Sequence, residues 1–187
     1  TDIAHWVTKS KIAENGDWDL SGDRYLSSNE NLVSDYEMVE LGEVIKMNFG
    51  TRITKKDNLG TLYPVYGGGG ESFRTDDFNR ENEYVIARFA MGKKCVRFVS
   101  EEFWMMDSGG TFAINEGFKK QITQEFIGNI LLHNQSAIYS CARGNAQKNL
   151  DTNLFNKLKI PLPSLAIQEQ IVAEIEGYQK IIDGARQ

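Results

Sequence analysis

The chain reads as an α+β domain from which a helix departs, and three observations carry that reading. Residues 83–90 and 92–99, EYVIARFA and GKKCVRFV, have the short alternation of strands. Between Lys120 and Asn134, the residues Ile122, Phe126, Ile130 and Leu131 recur at helical spacing. From Leu158 to Ile182 an apolar run, two prolines and a periodic helix follow one another without a gap.

Composition bounds the alternatives. With 187 residues, 41% apolar and 11% aromatic, the chain is long enough for one sizeable core with extensions. No run of apolar residues is long enough to span a bilayer and no signal-peptide pattern opens the chain, so the expected location is the cytoplasm, away from membranes. Cys95 and Cys141 are far apart and lack a C-x-x-C neighbour, which predicts buried thiols rather than a disulfide or metal site. The net charge of −5 does not suit a generic nucleic-acid binder, but it is unevenly spread. Between Lys46 and Arg97 ten Lys or Arg face six Asp or Glu, a local +4 that fits either a solvated surface or a DNA-facing one.

Residues 1–35 are polar and turn-rich around ENGDWDLSGDRY. Asp17, Asp19, Ser21 and Asp23, with Gly22 in sixth place, imitate a calcium loop, but its twelfth position is Ser28 rather than Glu. In YEMVELGEVIK, from Tyr36 to Lys46, Val39, Leu41, Val44 and Ile45 predict a short strand entering a helical turn, with Gly42 breaking the strand pattern. Arg52, Lys55 and Lys56 precede a turn at Asp57-Asn58 and the run LYPVYGGGG. Tyr63, Pro64 and Val65 read as a strand, and Gly67, Gly68, Gly69 and Gly70 must then turn. No Gly-Lys-Ser/Thr follows and no dinucleotide fingerprint is completed, so two readings stay open. The glycines form either a hairpin turn or a loop whose bare backbone approaches a DNA strand, with Tyr66 and Arg74 on its flanks.

The paired segments 83–90 and 92–99 predict a hairpin turning at Met91-Gly92. Val85, Ala87 and Phe89 then oppose Tyr84, Ile86 and Arg88. Arg88, Lys93, Lys94 and Arg97 crowd this hairpin, where they either hold phosphates or protect an edge strand from aggregation. Trp104, Met105 and Met106 precede a turn at residues 107–110, and a strand restarts at Thr111. The helix of 120–134 ends near His133, an ordinary place for a cation. CARGNAQKNLDTNL, from Cys141 to Leu154, reads as a polar loop. Its Arg143, Asn145, Gln147, Lys148 and Asn149 include the side chains suited to base edges, and a solvated Asn-rich turn is the plain alternative.

Leu158, Ile160 and Leu162 then alternate with Lys159 and Pro161, as in an edge strand that tolerates a missing N–H. Pro163 stops the strand and Ser164 can cap the helix, without a full capping box because Ile167 stands where Glu or Gln would. Ile167, Ile171, Ile175, Tyr178 and Ile182 lie along one helical face, which needs a partner, either its own domain or another helix.

IPLPSLAIQEQIVAEIE resembles the segment that ends each target recognition domain and opens the spacer helix in the specificity (S) subunits of type I restriction-modification systems. Pro161, Pro163, Gln168, Glu169, Gln170 and Ile171 match that pattern. KIAENGDWDLSGDRY is similar to the C-terminal tail of type I N6-adenine methyltransferase subunits. YPVYGGGG and the Leu-Gly-Glu entrance near Tyr36 also resemble recognition domains. The resemblance implies a methylase-tail-like extension at 1–35, a recognition domain at 36–163 with a mixed, twisted sheet and peripheral helices, and the start of a spacer helix at 164–187. It implies a module that binds one half of a bipartite site in double-stranded DNA. It further implies a methyltransferase subunit or domain carrying S-adenosylmethionine, a possible restriction subunit, and a second recognition domain or second copy joined through spacer helices. No cofactor or metal is expected in this chain itself.

Enzymatic readings lack their first residue. The three prolines never adjoin, so the Asn/Asp-Pro-Pro-aromatic motif of adenine methyltransferases is missing, and neither Glu-x-Lys nor Asp-x-Lys occurs. Two scattered histidines offer no catalytic pair. The competing class is a protein-interaction module that docks subunits without reading DNA.

Overall fold

The structure is a computed structural model that describes residues 9–13 and 36–185. The chain divides into two units, Thr1–Val33 and Ser34–Gln187. Of the first, helix α1 (Lys9–Ala13) is described; the Asp17 to Ser28 segment and most of the methylase-like extension lie outside the described residues.

In the second unit the sheet forms because long-range pairing gathers the apolar alternations seen in sequence. Strands β2 (Ile45–Phe49), β3 (Tyr63–Gly67), β4 (Gly70–Thr75), β5 (Arg80–Ala87), β6 (Val96–Met105) and β7 (Gly109–Ile114) make six strands in the order β2-β7-β5-β6-β3-β4. The pairs are antiparallel except β3 with β6, where Val65 faces Trp104 and Tyr66 faces Met105, so the sheet is mixed as expected. Strand β1 (Met38–Glu40) pairs instead with β10 (Lys159–Pro161), aligning Val39 with Ile160. The two ends of the domain therefore close on each other. Pro161 sits in this two-stranded ribbon, where its lack of an N–H is tolerated.

Helix α2 (Leu41–Val44) follows β1 directly, with Glu40 and Glu43 forming a capping box. Short helix α3 (Lys55–Asn58) is capped by the Thr54 side chain. Helices α4 (Gln124–His133) and α5 (Gln135–Ser140) cover the sheet, and Thr123 caps α4 through the Phe126 N–H. Phe126, Ile127 and Leu131 of α4 join Leu41, Val44, Ile86, Phe112, Ile138, Phe155 and Ile160 in the main core. Gly128 is required there, because a Cβ at that position would overlap the Tyr84 ring. A smaller cluster of Val85, Val99, Phe103 and Met105, with Tyr66 against it, forms separately. Tyr84 and Ile86 join the main core and Val85 the smaller cluster, but Ala87, expected on the Val85 face, joins the main core as well, so the alternation stops short of the end of β5.

Several expected boundaries move. Strand β6 continues to Met105, ten residues instead of ending near Val99: the exposed Ser100 and Glu101 break the apolar pattern where the register against β5 shifts, and pairing resumes at Glu102 and Phe103. The hairpin between β5 and β6 does not turn tightly at Met91-Gly92. It opens into a loop, residues 88–95, closed by the Ala87 N–H donating to the Cys95 carbonyl at 2.8 Å. Ile122 precedes α4 rather than lying in it, and it is buried. Residues 141–154 are not a simple loop. They hold strands β8 (Ala142–Arg143) and β9 (Asn149–Leu150), paired antiparallel, and the start of α6 (Thr152–Asn156), which Asp151 caps.

The last helix, α7 (Leu165–Gly184), begins right after Ser164, whose carbonyl accepts from the Ile167 and Gln168 N–H groups. Its apolar stripe divides along its length. Ile167 and Ile171 are half-buried, and Ile171 and Val172 pack on the main core. Ile175 is half-buried, whereas Tyr178, Ile181 and Ile182 are 60%, 69% and 45% exposed. Among the described residues no helix is long and apolar enough to cross a membrane, and no group of three metal-ligating side chains gathers.

Candidate nucleic-acid interface

Three loops meet at Ser108, and a fourth is fastened to one of them. The turn at residues 106–108 joins β6 to β7, and its placement follows from the Met106 N–H donating to the Tyr66 carbonyl at 2.9 Å. The Ser108 carbonyl accepts from both the Arg88 and Phe89 N–H groups, at 2.9 and 3.0 Å. The Ser108 hydroxyl accepts from the Gly68 N–H at 3.3 Å. One residue thereby ties the β5–β6 loop and the glycine turn to the same point. The sequence marked Ser108 as part of a turn and gave no sign of this convergence.

The glycine run makes a two-residue hairpin turn, Gly68-Gly69, between β3 and β4. Each glycine has its own reason. A Cβ on Gly67 would lie 2.8 Å from the Ser108 hydroxyl, and one on Gly68 would lie 2.6 and 2.7 Å from the Ser108 and Phe89 carbonyl oxygens. Gly70 has φ +122°, which disfavours any side chain. A Cβ on Gly69 would meet nothing within 4 Å, so Gly69 is where this turn leaves its backbone open to a ligand.

The β8–β9 loop is fastened to the same cluster. The Leu150 N–H donates to the Arg88 carbonyl and the Met91 N–H to the Lys148 carbonyl, each at 2.8 Å. The Asn149 side-chain oxygen accepts from the Ala90 N–H at 3.2 Å and from the Gln147 amide at 2.9 Å. Asn149 therefore holds the loop. Arg143 is turned back on the Ser140 and Ala142 carbonyls. Asn145 and Gln147 are exposed, and Gly144 takes φ +108° in a position where a Cβ would collide with the Gln147 carbonyl.

The cations differ in how they are held. Lys93 and Lys94 are exposed on the 88–95 loop. The Arg97 guanidinium turns inward, donating to the Gly68 carbonyl at 3.4 Å and the Lys94 carbonyl at 3.2 Å. Its second terminal nitrogen is buried without a hydrogen-bond partner. Arg88 lies over the Phe49 ring, 4.1 Å from its centre, and over the Phe89 ring, 4.6 Å from its centre. Neither phenylalanine stands out in sequence. Tyr66 lies beside this region, edge-on to Phe103 with centroids 5.6 Å apart. Burial, aided by Glu71 and Glu101 and opposed by Arg97 and Arg74, raises its hydroxyl pKa, so it remains a neutral donor.

Arg52, Lys55, Lys56 and Arg74 make none of the contacts that join these loops. Arg52, Lys55 and Lys56 are exposed, the latter two on α3, and Arg74 donates to the Leu62 carbonyl at 2.8 Å and pairs with Glu71 at 3.7 Å. Cys95 and Cys141 are buried free thiols whose pKa values burial raises to about 11, so neither is a nucleophile at neutral pH.

A family model described as the type I restriction modification DNA specificity domain matches residues 33–186. The S subunit of the type I restriction-modification system from M. genitalium superposes with TM-score 0.68 at 20% identity, over 82% of this chain and 42% of that one. A structure described as explaining complex assembly and conformational transition of the type I R-M system gives TM-score 0.61 at 16% identity, over 84% and 42%. The HsdS subunit from Thermoanaerobacter tengcongensis gives 0.54 at 15% identity, over 84% and 40%. The chain thus spans about two fifths of the length of these structures. No curated protein sequence matches it.

Proposed function

The chain belongs to the type I restriction-modification DNA specificity domain family, and from that premise we propose that it binds duplex DNA sequence-specifically, reading one half of a bipartite site. The observation that carries this reading is that Ser108 ties the glycine turn to the 88–95 loop, to which the β8–β9 loop is bonded in turn. These loops carry Arg88, with Lys93, Lys94 and Lys148 for phosphates and the exposed Asn145 for bases. The chain's overall charge of −5 is no obstacle, because affinity for phosphates depends on local cations.

The module supplies the address and performs no chemistry of its own. Its partners in this reading are a methyltransferase subunit or domain that uses S-adenosylmethionine to modify adenine, and a restriction subunit where the system has one. The exposed end of α7, with Tyr178, Ile181 and Ile182, pairs with the corresponding helix of a second recognition domain or second copy. That same exposed end is what favours the alternative reading, a docking module that never reads DNA.

Methylation mapping separates the two. Genomic DNA from cells expressing the intact parent protein is compared with DNA from cells lacking it. Adenine methylation at a bipartite motif, present only with the protein, is expected. Identical methylation patterns with the protein folded and abundant would favour the docking reading.

A further inference from the structure

Arg88 is held unlike the neighbouring cations Lys93, Lys94 and Arg97. Lys93 and Lys94 are exposed, and Arg97 spends its donors on main-chain carbonyls. Arg88 is fixed along its whole length. Its N–H donates to Ser108 and its carbonyl accepts from Leu150. Its Phe89 neighbour is also bonded to Ser108. Ala90, at φ +49° with its N–H on Asn149, turns the chain immediately afterwards. The guanidinium rests over the Phe49 and Phe89 rings. An aromatic face stabilises the cation without consuming its N–H donors, and among the described residues no hydrogen-bond or ion-pair partner uses them.

We propose that Arg88 is a base-reading, specificity-determining residue, positioned by Phe49 and Phe89 to donate two hydrogen bonds to the O6 and N7 of one guanine in the major groove. This rests on the DNA-binding reading above and assigns it a base. The physical reason is the holding. A phosphate contact is served by a lysine on its flexible stem, a point charge recognised from many directions, as Lys93 and Lys94 offer. A bidentate base contact demands a guanidinium fixed before binding, and the rings together with the tethered backbone supply that fixation. Phe49, at the end of β2, lies outside the loops that bear cations; its role is to position Arg88 rather than to touch DNA.

The test selects bound sequences from a randomised duplex library with the intact parent protein, its Arg88→Lys variant and its Phe49→Leu variant, and measures binding against salt for each. Arg88→Lys keeps the charge but replaces the planar fork stacked on the rings by a rotatable ammonium, so preference for one G·C pair is expected to fall about 5-fold or more with the rest of the motif and the salt slope retained. Phe49→Leu, which keeps an apolar side chain, is expected to relax the same base pair and no other. If Arg88→Lys leaves every position of the motif unchanged, the proposal falls and Arg88 is a phosphate anchor or a packing residue. If the unaltered protein enriches no sequence at all, the DNA-reading function falls with it.

Discussion

The side-chain oxygen of Gln168 accepts the backbone N–H of Thr123 at 3.0 Å, joining the last helix to the start of α4. The amide nitrogen of Gln168 donates to the Gln121 carbonyl at 2.7 Å and to the Pro163 carbonyl at 2.9 Å. The residue is fully buried, so its three bonds compete with no water. This amide fixes the direction in which α7 leaves the domain. Gln168→Ala leaves three backbone groups, the Pro163 carbonyl among them buried, without this partner and should destabilise the domain by about 1–3 kcal/mol, read as a lower denaturation midpoint. Recovery of full stability in the variant would show that water satisfies these groups.

The helix beyond that anchor should behave differently from the part near it. Ile171→Asp places a charge against the core and should cost about 1–3 kcal/mol of domain stability. Tyr178→Asp alters an exposed position and should change stability by about 0.5 kcal/mol or less while weakening helix pairing. Denaturation and sedimentation measured on both variants distinguish the two effects. Equal loss of stability in both would mean that the distal helix is also held by its own domain.

How far the sequence could reveal this follows from the range of each interaction. The β1 entrance, the β3 strand and the β10-to-α7 junction rest on local alternation and prolines, and they were legible. The two-residue strands β8 and β9 are too short to leave a period, and the polar string around them concealed their pairing. The Ser108 hub and the Arg88–Phe49 contact join residues far apart in the chain, so no window contains them. Gln168 stood inside a recognisable motif, but its bonds to Gln121 and Thr123 required the fold.

The glycine turn permits a comparison at neighbouring positions. Gly68→Ala brings a methyl group against two carbonyl oxygens and should destabilise by about 1–3 kcal/mol. Gly69→Ala meets open space and should leave thermal stability nearly unchanged. A reversal of that order in thermal melts would contradict the packing of the turn on Ser108.

Cys95 and Cys141 should resist a thiol reagent in the native protein at pH 8 and react on unfolding. Burial raises both thiol pKa values from 9.0 to about 11, so the unfolded chain ionises first. Their contribution to stability is therefore intact below pH 9 and is lost as pH rises towards 11. Replacing both by Ala should flatten the alkaline decline of a denaturation series between pH 9 and 11. An unchanged decline would assign it to other groups.

The most direct test of a DNA-facing loop cluster is the salt dependence of duplex binding by the intact protein and by its Lys93→Ala/Lys94→Ala variant. Both lysines are exposed, so the variant should fold normally. If they meet phosphates, the slope of log affinity against log salt becomes shallower by about 0.9 for each phosphate that is no longer neutralised. An unchanged slope and affinity in a folded variant would mean that the DNA does not lie on these loops.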